Sequence, residues 1–382
     1  MKKMRLIILV IGLFLFVQAA QVQWEPAQRL TWNPGESFRP RVAVDSSGGV
    51  HLVWSDTTPG DSEIYYKQST DGGGTWATSQ RLTFSSGSSG NPDIAVDSTG
   101  KLHVVWEDKA PGNSEIYYKR SPDGGATWST SKRLTWNEGT SWSPAVAVDS
   151  SDSVHAVWSE STPGNFEIYY KKSTDGGATW STSKNLSSTS GNSFSPAIAV
   201  DSSDRIHVAW SDATPGNTEI YYRKSTDGGA AWSTSKRLSW TAEASAQPAI
   251  AVDASGRIHV AWSDATTGDS EIYYKKSSDG GATWITSKSL TWNTGDSLSP
   301  ALAVDILGNL HLVWSDKTPG SSEVYYRKSA DHGATWTAAE RLTWNSGNSD
   351  VPDVAVYGSD NIHVFWYDFT PGNSEIYYIR QK

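Results

Sequence analysis

Apolar and polar residues alternate over short stretches of this chain, and the alternation returns at a fixed interval. From Ile206 to Trp210, the residues Ile206, Val208 and Trp210 fall on one face and His207 and Ala209 on the other. A period of two predicts a strand. Pro196 to Asp201, Glu219 to Ser225 and Trp232 to Leu238 read as three more strands around it. The joining segments Ser-Ser-Asp-Arg, Thr214-Pro215-Gly216-Asn217 and Asp227-Gly228-Gly229 carry turn chemistry. In chain order these strands are A (Pro196 on), B (Ile206 on), C (Glu219 on) and D (Trp232 on). No helical periodicity follows residue 20.

The pattern occurs seven times. His-x-x-Trp stands at His51, His103, His155, His207, His259, His311 and His363, each 52 residues after the last. Glu-(Ile/Val)-Tyr-Tyr keeps the same step from Glu63 to Glu375. Four strands in a unit of this length predict the blades of an all-antiparallel β-propeller. The chain ends fix the blade count. Trp24 lies one repeat before Trp76, so Gln23 to Thr31 reads as a strand D with no blade before it. Glu375 to Arg380 reads as a strand C with no strand D after it. Together they complete one blade, which predicts a closed seven-bladed ring over residues 21–382 and leaves no open edge.

The first twenty residues have a different character. Lys2, Lys3 and Arg5 precede an apolar run from Leu6 to Val17, and small residues follow at Ala19 and Ala20. This is the three-part pattern of a secretory signal peptide, and the apolar run is too short to span a bilayer. The expectation is an exported chain that does not span the membrane once residues 1–20 are removed. Loss of three basic residues from 32 leaves 29 against 41 acidic ones, a net charge near −12. So acidic a chain is a poor candidate for nucleic acid. With no cysteine, disulfides and thiolate chemistry are excluded.

The C–D turn reads Ser-x-Asp-x-Gly-x-Thr-Trp, with its aspartate at Asp71, Asp123, Asp175, Asp227, Asp279 and Asp331. Ala231 replaces the threonine in the fourth copy, and His332 replaces a glycine in the sixth. This motif resembles the Asp-box, or BNR, repeat of the sialidase-like superfamily. In that family the boxes are structural, and its members include sialidases, other glycan-active enzymes and non-enzymatic binding proteins. The resemblance therefore implies a propeller and leaves the function open. Sialidases resemble this chain in their boxes but have six blades, and their site uses three arginines, a Tyr–Glu pair and an aspartate. Phe38-Arg39-Pro40-Arg41 resembles one of their arginine motifs without its isoleucine. It also aligns with Phe194-Ser195-Pro196-Ala197, an ordinary stretch of the repeat. Tyr-Tyr and Glu recur in every blade, as packing residues do. A catalytic centre needs different residues on different blades; almost none are apparent, and no catalytic residue is assigned.

Other features admit a plain and a functional reading. The seven histidines could form a metal ring, but their mid-strand places favour hydrogen bonding in the core or between blades. Acids flank each B–C turn, as in Asp56 and Glu63 or Asp212 and Glu219. They could hold calcium, but turn capping with lysine partners from strand C is the expected role, so no cofactor or metal is assigned. Asp353, Arg41 and Asp93 occupy one repeat position on consecutive blades, which predicts an inter-blade salt-bridge cluster, a structural lock rather than a ligand site.

The D–A loop is the best binding candidate. An aromatic recurs at Trp32, Phe84, Trp136, Trp240, Trp292 and Trp344, with Ser188 breaking the series. Either these rings are exposed and stack on sugars, or each shares a face with the leucine two residues earlier, such as Leu30, and is buried. The leading expectation is a secreted, non-enzymatic binding or adhesion module for glycans or cell-surface polymers, acting through repeated equivalent sites. Arg39 and Arg41 are further binding candidates. A sialidase-like glycoside hydrolase and a surface scaffold are the alternatives.

Overall fold

The computed structural model describes residues 23–382 except 111, 162, 163, 215 and 319; the signal-peptide expectation for residues 1–20 lies outside them. The described residues form seven four-stranded antiparallel sheets. Blade 4 is typical, with strands Ser193–Val200, Ile206–Asp212, Glu219–Ser225 and Lys236–Arg237. Blade 7 takes its first three strands from Ser349–Tyr357, Asn361–Asp368 and Glu375–Gln381, and its fourth from Gln28–Arg29 at the other end of the chain. Gln28 pairs with Tyr378, and a further bridge joins Trp24 to Gln381. The ring closes as the repeat count requires.

Strand B runs two residues further than expected, to Asp212, and two other strands differ more from their predicted extents. Strand A begins at Ser193, three residues before Pro196, and crosses a bulge in which the register jumps between Phe194 and Ala197. Ser195, inside the bulge, has φ 49°. A proline cannot donate to the ladder, so the strand kinks around it. All seven blades do this, at Arg39, Asn91, Ser143, Ser195, Gln247, Ser299 and Val351. Strand D shrinks to Lys236–Arg237 because Trp232 leaves the ladder. Its indole packs edge-on against Tyr170 of the preceding blade, with centroids 5.1 Å apart.

Strand B is buried on both faces because each blade is sandwiched between two others. Trp54, Trp210 and their five equivalents have at most 1% of their surface exposed. The histidines bond within their own blade. His207 Nε2 lies 3.1 Å from Asp201, and Nδ1 lies 2.7 Å from the Tyr222 hydroxyl. The aspartate fixes the tautomer, leaving Nδ1 to accept from the tyrosine. Burial lowers the histidine pKa values, to about 4 at His311 and His363.

Register places the A–B turns and Asp boxes on one face of the disc, and the B–C turns and D–A loops on the other. In the first box, Asp71 Oδ1 accepts the Thr75 N–H at 2.8 Å and the Ser69 hydroxyl at 2.7 Å. These bonds, the Thr75 N–H foremost, hold the carboxyl well below the usual range. Gly73 has φ 85°, and any Cβ there would collide with the Tyr378 hydroxyl. Only glycine fits. The boxes are local braces that also join neighbouring blades.

Candidate binding seams and central channel

The D–A loop crosses from one blade to the next, so its residues sit over an inter-blade seam. At the seam between blades 4 and 5, Leu238 is buried, Ser239 is also buried, and Trp240 is 66% exposed. Strict alternation would have put Leu238 and Trp240 together. It fails because Ser239 turns inward to hydrogen-bond the buried Glu219 and to accept the Ile220 N–H at 2.8 Å. Two successive inward residues throw the third outward. The same sequence logic leaves Trp32, Phe84, Trp136, Trp292 and Trp344 between 67% and 76% exposed. The choice left open by the sequence is thereby resolved: the leucines are inside and the aromatics outside. Single exposed apolar residues are ordinary on a protein surface, whereas six large rings at one repeat position form a pattern.

Two cations flank the ring at four seams; at the Trp292 seam Ser289 takes the place of the first. The first comes from strand D. Arg237 donates to Glu219 Oε1 at 2.6 Å, and its guanidinium lies 5.7 Å from the Trp240 centroid. Arg29, Arg81, Arg133 and Arg341 pair in the same way with Glu375, Glu63, Glu115 and Glu323. These arginines, rather than the expected strand-C lysines, neutralise the turn glutamates. The second cation comes from strand C of the following blade. Lys275 Nζ donates to Leu238 O at 2.7 Å and stands 5.0 Å from the Trp240 centroid.

The clefts beside these rings are shallow. One of about 350 Å³ is lined by Trp240, Trp262, Tyr273, Lys275 and Ser287. Its neighbour, about 220 Å³, is lined by Trp292, Asn293, Tyr325 and Arg327. The acids at the B–C turns act as caps. Asp264 accepts from Ser245 Oγ, Trp262 Nε1 and the Thr266 N–H at 2.7, 3.0 and 3.1 Å. Among the described residues no group of three or more His, Asp or Glu comes together as metal ligands.

Arg39 and Arg41 lie elsewhere, on the central channel. This space of about 620 Å³ is lined by the strand-A bulges of all seven blades. Arg39 is exposed, whereas Arg41 is half-buried and donates to Pro40 O at 3.0 Å. The expected salt-bridge cluster takes a different form. No ion pair within 4.0 Å joins Arg41 to Asp93 or Asp353 among the described residues. Instead, Asp353 accepts the Val42 N–H of blade 1 at 2.8 Å, and Asp93 accepts the Val146 N–H of blade 3 at 2.7 Å. Burial pushes the Asp93 carboxyl up to about 6 despite the nearby Arg41 charge. The lock is carboxylate to backbone.

Sequence reasoning passed over other residues near the channel mouth. Glu107 and Tyr367 replace a serine found in the other five blades, and Glu107 accepts the Ser143 N–H at 3.2 Å. Trp142 packs against Phe166 and Phe194 with centroids 5.6 and 6.0 Å away. Writing the seven repeats in register and reading down each column would have exposed all of them. The channel is the irregular part of the molecule, whereas the seams are its regular part.

With both places defined, comparison with known proteins is informative. The BNR repeat-like domain family matches residues 137–299. Among solved structures, a protein of unknown function from Dyadobacter fermentans superposes with TM-score 0.59 and 14% identity, covering 93% of this chain and 99% of that one. The NanB sialidase of Streptococcus pneumoniae gives TM-score 0.52 and 16% identity, covering 93% of this chain and 70% of that one. The α-L-arabinanase of Penicillium chrysogenum gives TM-score 0.55 and 13% identity, covering 90% of this chain and 93% of that one. No curated protein matches the chain. The fold defines a β-propeller. It has seven blades, and residues 137–299 of it are similar to the BNR repeat-like domain family.

Proposed function

We propose that this protein is a secreted, non-enzymatic propeller that binds glycans through its inter-blade seams. The observation that carries this reading is the outward display of six aromatic rings at one repeat position. Such rings stack on the apolar faces of sugars, and the polar groups of the adjoining clefts suit hydroxyl recognition. Shallow clefts imply weak individual sites. Equivalent sites on one rigid disc turn weak binding into avidity when the ligand is polymeric or densely displayed.

The test is a glycan array that includes sialylated sugars, with sialoside cleavage assayed on the same sample. The expected outcome is binding without cleavage, weakened in Trp136→Ala. Cleavage would move the functional centre to the channel and to Arg39 and Arg41. Silence in both assays would favour a surface scaffold.

A further inference from the structure

The seams hold cations that form no ion pair within 4.0 Å among the described residues. Lys67, Lys119, Lys171 and Lys275 each donate from Nζ to a leucine carbonyl of the preceding blade: Leu30, Leu82, Leu134 and Leu238. Arg223 makes the same link to Leu186. Arg327 occupies the sixth equivalent position, and its buried Nε has no partner. None of the six has a carboxylate within 4.0 Å among the described residues. They are buried or half-buried, and that burial lowers their pKa values. Burying a charge without a counter-charge is unfavourable. Such groups lining a cleft are candidates for a functional site.

The contrast within the seam between blades 4 and 5 sharpens the point. The strand-D arginine beside the same ring is paired with a buried glutamate. The strand-C cation is left free although the chain has an excess of acids. A leucine carbonyl could be satisfied by a neutral glutamine, so the link to the backbone does not require the charge.

We infer that the seams select anionic polysaccharide, with sugars bearing uronate or sulfate groups, the sugar face stacking on the exposed ring and its acid group meeting the strand-C cation. This rests on the glycan-binding reading above and narrows it. It also fixes the number of complete sites. Six seams carry the ring. The seam between blades 6 and 7 has Ile379 in place of the cation, and the seam between blades 3 and 4 has Arg223 but Ser188 in place of the ring. Six less one leaves five seams with both groups.

Isothermal titration of the whole propeller tests this with three probes: a tetragalacturonate, its carboxyl-reduced neutral twin, and a chondroitin sulfate tetrasaccharide. The expected result is about tenfold tighter binding of an acidic probe than of the neutral twin, as one charge-assisted hydrogen bond provides. Stoichiometry should be near five, and the preference should shrink as salt rises from 50 to 500 mM. The two acidic probes distinguish uronate from sulfate. Replacing Lys67, Lys119, Lys171, Lys275 and Arg327 by glutamine should abolish the preference, so that the acidic probe binds no tighter than its neutral twin. Should that variant fail to fold, the contrast between the twins on the unaltered protein decides. Equal, salt-insensitive binding of the twins would overturn charge selection and leave glycan binding standing. No binding of any probe would overturn both.

Discussion

The seams on either side of blade 4 share a hydrogen-bonded framework and differ in their side chains and at one backbone position, where Ser188 takes φ 51°. The one before it, between blades 3 and 4, has Asn185, Ser188 and Arg223; the one after it has Arg237, Trp240 and Lys275. Their frameworks are nonetheless the same. Thr189 N–H donates to Glu167 Oε1 at 2.9 Å, as Thr241 N–H does to Glu219 Oε1 at 2.9 Å. Leu186 and Leu238 are both buried, and their carbonyls both accept a strand-C cation. Where the ring is missing, Asn185 Oδ1 accepts the Ser187 and Ser188 N–H groups at 3.0 Å each, and the loop stays ordered without it. The fold does not require the aromatic. Its presence at six other seams, in water, is best explained by something outside the protein.

The largest effect separates buried from exposed indoles. Trp210→Ala in blade 4 should cost about 3–5 kcal/mol, as core Trp deletions do, whereas Trp240→Ala should leave stability within about 0.5 kcal/mol. Denaturant unfolding of both variants checks this. Acid should also act on the framework. Burial holds all seven strand-B histidines below their ordinary value. The unfolded chain therefore takes up protons first, and stability falls as the pH drops from the ordinary histidine value of about 6.5 towards 4. Asp93, raised to about 6, and Asp353, Glu160 and Glu271, also raised by burial, act in the opposite sense, but they are four groups against seven. A melting temperature roughly 10 °C lower at pH 5 than at pH 7 is expected by calorimetry.

A gain of function sharpens the comparison further. Ser188→Trp with Asn185→Arg should equip the deficient seam and strengthen binding to a glycan-coated surface by a few-fold, read by surface plasmon resonance. The smallest effect concerns the bulges. Val351 has φ 47°, which a β-branched residue tolerates poorly. Val351→Asn, the residue type of the blade 2 bulge, should stabilise by about 1 kcal/mol in the same unfolding assay.

The blade count and ring closure were readable because period-two alternation, turn chemistry and an unbroken 52-residue step all agree. Strand D was over-read because Trp232 looks like a strand residue, whereas its indole packs against the preceding blade. Exposure of the D–A rings was undecided because it depends on Ser239 turning inward to a glutamate some twenty residues away, which no local pattern reveals. The free strand-C cations were hidden for a related reason. Lysine beside glutamate reads as an ion pair, until the structure gives the glutamate to Arg237.

The most direct test of the central claim compares the unaltered propeller with a variant in which Trp32, Phe84, Trp136, Trp240, Trp292 and Trp344 are all alanine. Both would be titrated over an immobilised acidic polysaccharide. The account predicts at least about a hundredfold weaker binding of the variant, with an unchanged melting temperature. Undiminished binding by the folded variant would contradict it and turn attention to the channel.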